Sequence, residues 1–511
     1  MKNISNTYII NQDINLAEFI SVVRNKVQIE FSQEFIDRVN KSRELVEQWV
    51  DEERIIYGVT TGFGANVTKT ISKEDAKTLQ LNIVRSHATS VGDRMTEEEV
   101  RGTMLMCILN LGRGYSGVRI ETLERYKEFL NKNIISFAPK HGSVGYLSPE
   151  AHIALGVIGE GKIVDDKEIV ESKDIFQRHG LSSYELSYKE GLALVSGTTG
   201  VTAMAAISLY DILNATKTAD IISAMTLEVS KGTLRAFDER VMDVKNHKYQ
   251  KDTATNIRNI LKDSEIAKEF YDFRLQDALS VRCVPQLHGA AKKTIYDAKN
   301  TVENEMNSCA DNPIIWSDCE TSMAISSGNP DSSFIGLEMD SVCMAAAMIA
   351  KMSERRNNRL IDGNLSGNPW FLINNPGLNS GLMIPQYTQA GLLNEIKVLA
   401  TPSVIDNIPT CGNQEDYVAM GYNSSLKAIE ISKKLEYILA IELLSAYQSY
   451  QYLDPKLQKS SVTEKIFLEI QKKVPILEED EYLYPYIEYI RELIHTNRIL
   501  EIAENLVGEL I

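Results

Sequence analysis

TAMAAISLYDILNATKTADIISAMTLEVS, residues 202–230, contains neither glycine nor proline, and its Ala, Ile, Leu and Met recur on more than one side of a 3.6-residue period. A helix apolar on several faces cannot lie on a surface, so this stretch predicts a long helix enclosed by others. Working outward, the same texture returns in SQEFIDRVNKSRELVEQWVDEE (32–53), TEEEVRGTMLMCILNLGRG (96–114) and FIGLEMDSVCMAAAMIAKMSERRNNRLID (334–362). Strand-like pieces such as NTYIINQ (6–12) are short and few. The expected architecture is mainly α, a long-helix bundle with a small mixed N-terminal domain. Glycines in GRGYSG (112–117) interrupt two helical patterns and set the boundary. A mixed domain over 1–115, carrying the loop of Tyr57, then precedes an elongated helical bundle over 116–511.

Composition narrows the function. With 511 residues, 43% hydrophobic and 24% charged, the chain can bury a large core. The net charge of -16 is spread along the sequence, and no basic run with interleaved aromatics suggests nucleic acid. The start, MKNISNTYIINQDIN, has no basic n-region or apolar h-region, and no stretch supplies the ~18 uninterrupted apolar residues of a membrane span. A cytoplasmic protein with a small-molecule partner is expected, contacting neither membrane nor nucleic acid. Cys107, Cys283, Cys309, Cys319, Cys343 and Cys411 lie far apart, without metal-ligand spacing, and read as reduced core thiols with no metal site.

Polar, glycine-rich segments sit between the apolar helices, where a rigid scaffold can aim a loop at a cavity. They are YGVTTGFG (57–64), HGSVGYLSPEAH (141–152), LVSGTTG (194–200), RLQDALSVRCVPQ (274–286), CADNP (309–313) and IPTCGNQEDYVAMG (408–421). Tyr57 offers a phenol which, ionised, is a base strong enough for a carbon acid, although a loop tyrosine also serves for packing. Arg282 offers a planar fork for a carboxylate and Asn312 a neutral donor beside it. Glu415 could face an imidazole. His87, on an apolar flank, reads equally as a hydrogen-bonded structural residue.

Taken in order, YGVTTGFG, SHA, GSVG, LSPEAH, SGTT, QDALSVRC, DNP, SGN, GLNSG, NEIKVLA and NQEDYVAMG resemble the histidine ammonia-lyase branch of the family that includes phenylalanine and tyrosine ammonia-lyases and aminomutases. The resemblance implies a homotetramer with sites built from several subunits, and elimination of an amine from an α-amino acid. It also implies substrate contacts from His87, Gln276, Arg282 and Asn312, with Tyr57 and Glu415 as catalytic groups.

One departure stands out. Between GSVG and the L-S-P segment the family carries Ala-Ser-Gly, which cyclises to an electrophilic methylidene-imidazolone. Here Gly145 runs through Tyr146 directly into Leu147. Ser196 stands where the family has Asn, and Leu279 where it has Tyr. A pocket that retains its binding groups without the electrophile resembles ergothionase, which releases trimethylamine from a thiohistidine betaine. On that resemblance the expected reaction is amine elimination from ergothioneine without a cofactor. Tyr57 would be the base, Glu415 backed by Lys397 the acid, and Tyr146 and Ser196 would line the pocket. The alternatives are a methylidene-dependent histidine ammonia-lyase and an inactive relative that binds an imidazole metabolite.

Overall fold

The computed structural model describes residues 7–11, 13–318 and 321–511. Helices dominate, as the periodicity requires. In chain order the helices that matter here are α1 (Gln33–Asp51), α2 (Ala76–His87), α3 (Glu97–Leu111), α4 (Ser148–Ile158), α5 (Glu190–Val195) and α6 (Thr199–Val229). After them come α7 (Val284–Met306), α8 (Ser333–Ile361), α9 (Met383–Leu399), α10 (Gly421–Ser449) and α11 (Tyr484–His495). The starts obey capping chemistry. Ser32 accepts the Phe35 N–H ahead of α1, and at α3 Thr96 and Glu99 each accept the other's backbone N–H.

The stretch 202–230 falls on α6. Val201, Ala203, Met204, Ala205 and Ala206 are wholly buried, and three of the buried hydroxyls in this helix bond one turn back. Ser208 donates to the Met204 carbonyl at 2.8 Å, Thr216 to Ile212 at 2.7 Å and Ser223 to Ala219 at 2.6 Å. These three hydroxyls thereby enter a dry core with their protons paired, and Thr226 reaches across to Glu442 instead at 2.8 Å. The span Glu190–Val229 and helix α8 are long and apolar enough to cross a membrane by length and composition alone, a test that the core helix of a folded domain also passes. The apolar window of the first is entirely buried within the protein, as befits a core helix.

Strands are short accessories. Thr7–Ile10 pairs in parallel with Gln28–Phe31, in register Thr7 to Gln28. Three small antiparallel groups join Val91–Arg94 with Pro139–His141, Ile135–Ser136 with Lys162–Asp165 and Glu168–Glu171, and Ile314–Trp316 with Met323–Ile325.

The chain divides into two discontinuous units. The first holds Met1–Tyr210, Ala298–Asp340 and Pro402–Leu426; the second holds Asp211–Asp297, Ser341–Thr401 and Lys427–Ile511. Residue 115 lies inside the first, and the division falls within α6, α7, α8 and α10. Of the cysteines, Cys107 and Cys343 are buried, Cys283 and Cys309 half-buried, and none of the described ones forms a disulfide. Cys411 is exposed, which corrects its reading as a core thiol: it sits in a loop of left-handed backbone with no apolar face to bury it. Cys319 lies outside the described residues.

Candidate active site

The loop after α1 positions Tyr57 through two glycines. Gly58 has φ 65°, and a Cβ there would meet Leu192 Cδ2 at 2.3 Å. Gly64 has φ 54°, and a Cβ there would meet the Cys411 sulfur at 2.5 Å. Glycine takes these left-handed angles and close approaches without the strain that a side chain would bring. Buried Gln80 on α2 locks the loop by donating to the Gly58 carbonyl at 3.0 Å and accepting the Leu192 N–H at 3.1 Å. The Gly64 N–H then donates to the Tyr57 phenol oxygen at 2.9 Å.

Glu415 gathers the other groups. Its Oε2 accepts from Tyr146 at 3.1 Å and from Thr410 Oγ1 at 2.8 Å, while Thr410 N–H donates to the Glu415 carbonyl at 2.9 Å. Burial raises the Tyr57 pKa above the usual tyrosine value, against the Gly64 N–H, and the Glu415 charge raises it further. Burial raises Tyr146 as well, reinforced by Glu415 and Asp331. His87 ends α2 with Nδ1 2.7 Å from the Ile83 carbonyl, an acceptor only, so Nδ1 carries the proton and Nε2 the lone pair. Burial lowers the His87 pKa, opposed by Ile83 and Glu415. Tyr57, His87 and Tyr146 therefore all sense one carboxylate.

Ser196 and Asn312 belong to the same unit. Leu147 N–H donates to the Val195 carbonyl at 3.0 Å, tying the Tyr146 turn to the end of α5. A Cβ on Gly197 would lie 3.2 Å from the Ala310 carbonyl oxygen, so the Ser196 turn abuts the segment leading to Asn312. That segment is pinned by a wholly buried ion pair, Lys189 to Asp311 at 2.6 Å. Asp311 in turn accepts the Asn312 N–H at 2.7 Å, and the Asn312 side chain accepts the Ser327 N–H at 2.8 Å.

Gln276, Arg282 and Lys397 belong to the second unit. With its amide oxygen turned toward the guanidinium, Gln276 accepts from Arg282 Nη2 at 2.9 Å and Nη1 at 3.2 Å. Arg282 Nε is buried with no partner. Beside them a cavity of about 670 Å³ is lined by Leu279, Cys283, Lys351, Arg355 and Lys397. Lys397, on α9, lines this cavity together with Lys351, Glu354 and Arg355 of α8. Thr410, Cys411 and Asp331 escaped the sequence reading. The first two lie within IPTCGNQED, but only their positive-φ turn brings them onto Glu415 and Gly64.

The family's methylidene-imidazolone was tested against this geometry. Gly145 N–H donates to Ser143 Oγ at 3.2 Å, Ser143 Oγ donates to the Tyr146 carbonyl at 3.2 Å, and the Tyr146 phenol occupies Glu415. No Ala-Ser-Gly exists in this turn to cyclise, so the residues present do not fit the group.

Residues 14–472 match the family described as aromatic amino acid lyase. The histidine ammonia-lyase of Alkaliphilus oremlandii is 39% identical over 499 residues, covering 97% of this chain and 98% of that protein. The crystal structure of histidine ammonia-lyase from Trypanosoma cruzi superposes with a TM-score of 0.92 at 31% identity, covering 98% of this chain and 96% of that one. Ergothionase from Treponema denticola superposes with a TM-score of 0.88 at 27% identity, covering 97% and 99%. The expected release of trimethylamine from ergothioneine is thereby overturned: relatives 38–39% identical over nearly the full chain are histidine ammonia-lyases. The absent tripeptide bears on how a leaving group is activated, and it does not specify the substituents on the substrate nitrogen. The helical fold, the ordered motifs and the matched length agree, and this chain belongs to the aromatic amino acid lyase family as a carbon–nitrogen lyase.

Proposed function

We propose that the chain eliminates ammonia from an imidazole-bearing α-amino acid, with L-histidine as substrate and a urocanate-type acid as product. The observation that carries this reading is the single Glu415 carboxylate with Tyr57, Tyr146 and His87 around it, supported by the histidine ammonia-lyases at 39% identity. Glu415 supplies the counter-charge to a cationic substrate and keeps its ammonium protonated, since an opposite charge favours the charged form. Tyr57 takes the β-proton. The Cβ–H pair becomes the Cα=Cβ bond, and the Cα–N pair leaves with nitrogen as neutral ammonia, which needs no further proton. Arg282 and Asn312 hold the carboxylate, while His87, Tyr146, Ser196 and Gln276 line the site. Lys397 is given no step.

The same reading makes the protein a homotetramer in which Gln276 and Arg282 of one subunit serve the Glu415 centre of another. Its support is an unusually apolar surface. On α8, Phe334 is 74% and Leu337 62% exposed, and on α9, Tyr387 is 67% and Val398 68% exposed. An uncovered run of this kind marks an interface. The decisive assay is L-histidine with the purified protein, following ammonia together with the ultraviolet absorbance of the conjugated product. Equal amounts of both are expected. Saturable binding of histidine with no product at full occupancy would reduce the protein to a binding relative.

A further inference from the structure

A second cluster in the molecule shares no residue with this site. Asp211 on α6, Glu436 on α10 and His495 at the end of α11 direct one ligand atom each to a common point, all within 4.8 Å of one another. All three belong to the second unit. Glu436 is buried, whereas His495 keeps 27% of its side chain exposed, so an ion from solvent can reach the cluster.

Charge and spacing both suit a metal. Arg491 donates from Nε at 2.9 Å and from Nη2 at 2.8 Å to Glu436 Oε2, cancelling one of the two negative charges. Two carboxylates thus stand together with one imidazole and one guanidinium. The Arg491 contacts fall on Oε2, and His495 Nδ1 lies 2.9 Å from Oε1. Two ligands of a tetrahedral ion with bonds of about 2.1 Å stand about 3.4 Å apart, so this nitrogen and oxygen, now at hydrogen-bond distance, need separate by only about 0.5 Å to share one. One imidazole nitrogen with two carboxylate oxygens is a borderline set, which selects a zinc-class divalent ion over calcium or magnesium.

We propose that Asp211, Glu436 and His495 form a divalent transition-metal site that ties α6, α10 and α11 together. The ion takes the place of the proton between His495 Nδ1 and Glu436 Oε1, and the ring keeps its remaining proton on Nε2. Arg491 orients the Glu436 carboxylate from behind, as an outer partner of a ligand does.

The test uses the full-length protein after chelator treatment and dialysis. Cobalt(II) alone is titrated by visible absorption, and zinc(II) alone by calorimetry and thermal melting. Expected are one equivalent bound, a cobalt ligand-field band, and a higher Tm with zinc. His495→Gln and Asp211→Asn should each weaken binding at least 10-fold with circular dichroism unchanged. Asp211→Asn alone decides the matter if the histidine variant fails to fold. No binding of either ion at millimolar concentration, or equal binding by wild type and Asp211→Asn, overturns the site.

Discussion

At Tyr57, burial and the Glu415 carboxylate oppose ionisation, so at neutral pH the group rests as a phenol. If it is the base, its active form is the phenolate, and a raised pKa means kcat/KM climbs with pH beyond the ordinary tyrosine value near 10. Tyr57→Phe should lower kcat by about 10²- to 10⁴-fold and remove that alkaline rise, with a much smaller effect on substrate binding. A pH–rate profile of the two proteins checks both points, and an unchanged alkaline limb in the variant assigns proton removal elsewhere. The segments carrying Tyr57, His87, Arg282, Asn312 and Glu415 stood out in sequence because loop motifs interrupt a helical background, and the family resemblance singled out the side chains. Thr410 was not singled out, since its role depends on a hydroxyl turned by the left-handed backbone of Cys411 and Asn413 that follows it.

At the level of elements, Glu150 of α4 governs the start of α6. Its Oε1 accepts the Gly200 N–H at 2.9 Å and, more weakly, Thr199 Oγ1 at 3.5 Å, while Oε2 is buried without a partner. Burial outweighs these bonds and pushes the carboxyl up to about 7. Between the ordinary 4.5 and 7 the folded protein holds a proton that the unfolded chain has lost. Stability therefore falls as pH rises through that window, by at most about 3 kcal/mol once it is crossed. Glu150→Gln keeps an acceptor for Gly200 and removes the charge. Its Tm should exceed wild type by a few degrees at pH 8 and match it near pH 4.5, measured by calorimetry. The long helices were plain from periodicity, as 202–230 shows. Of the short strands, the one in NTYIINQ was legible, whereas pairs such as Val91–Arg94 with Pro139–His141 were not, because their few residues are fixed by partners distant in the chain.

For the assembled molecule, an inter-subunit clamp makes a complementation prediction. Tyr57→Phe and Arg282→Lys proteins should each be weak alone, because an ammonium cannot reproduce the guanidinium fork. Co-expressed in equal amounts, they should recover activity in about a quarter of the sites if the two residues come from different subunits. No recovery in mixed assemblies confirmed by mass would place both residues in one subunit. The buried Lys189–Asp311 pair bears on which exchanges the chain tolerates. Loss of either member alone strands a charge in the core at a cost of about 3–5 kcal/mol, a large share of any fold's stability. A change at one residue is therefore tolerated only with a matching change at the other, which makes the pair a lock on the turn carrying Asn312. Tyr146 and Ser196, in the same unit, are tied to no buried charge pair, so exchanging either strands no ion in the core.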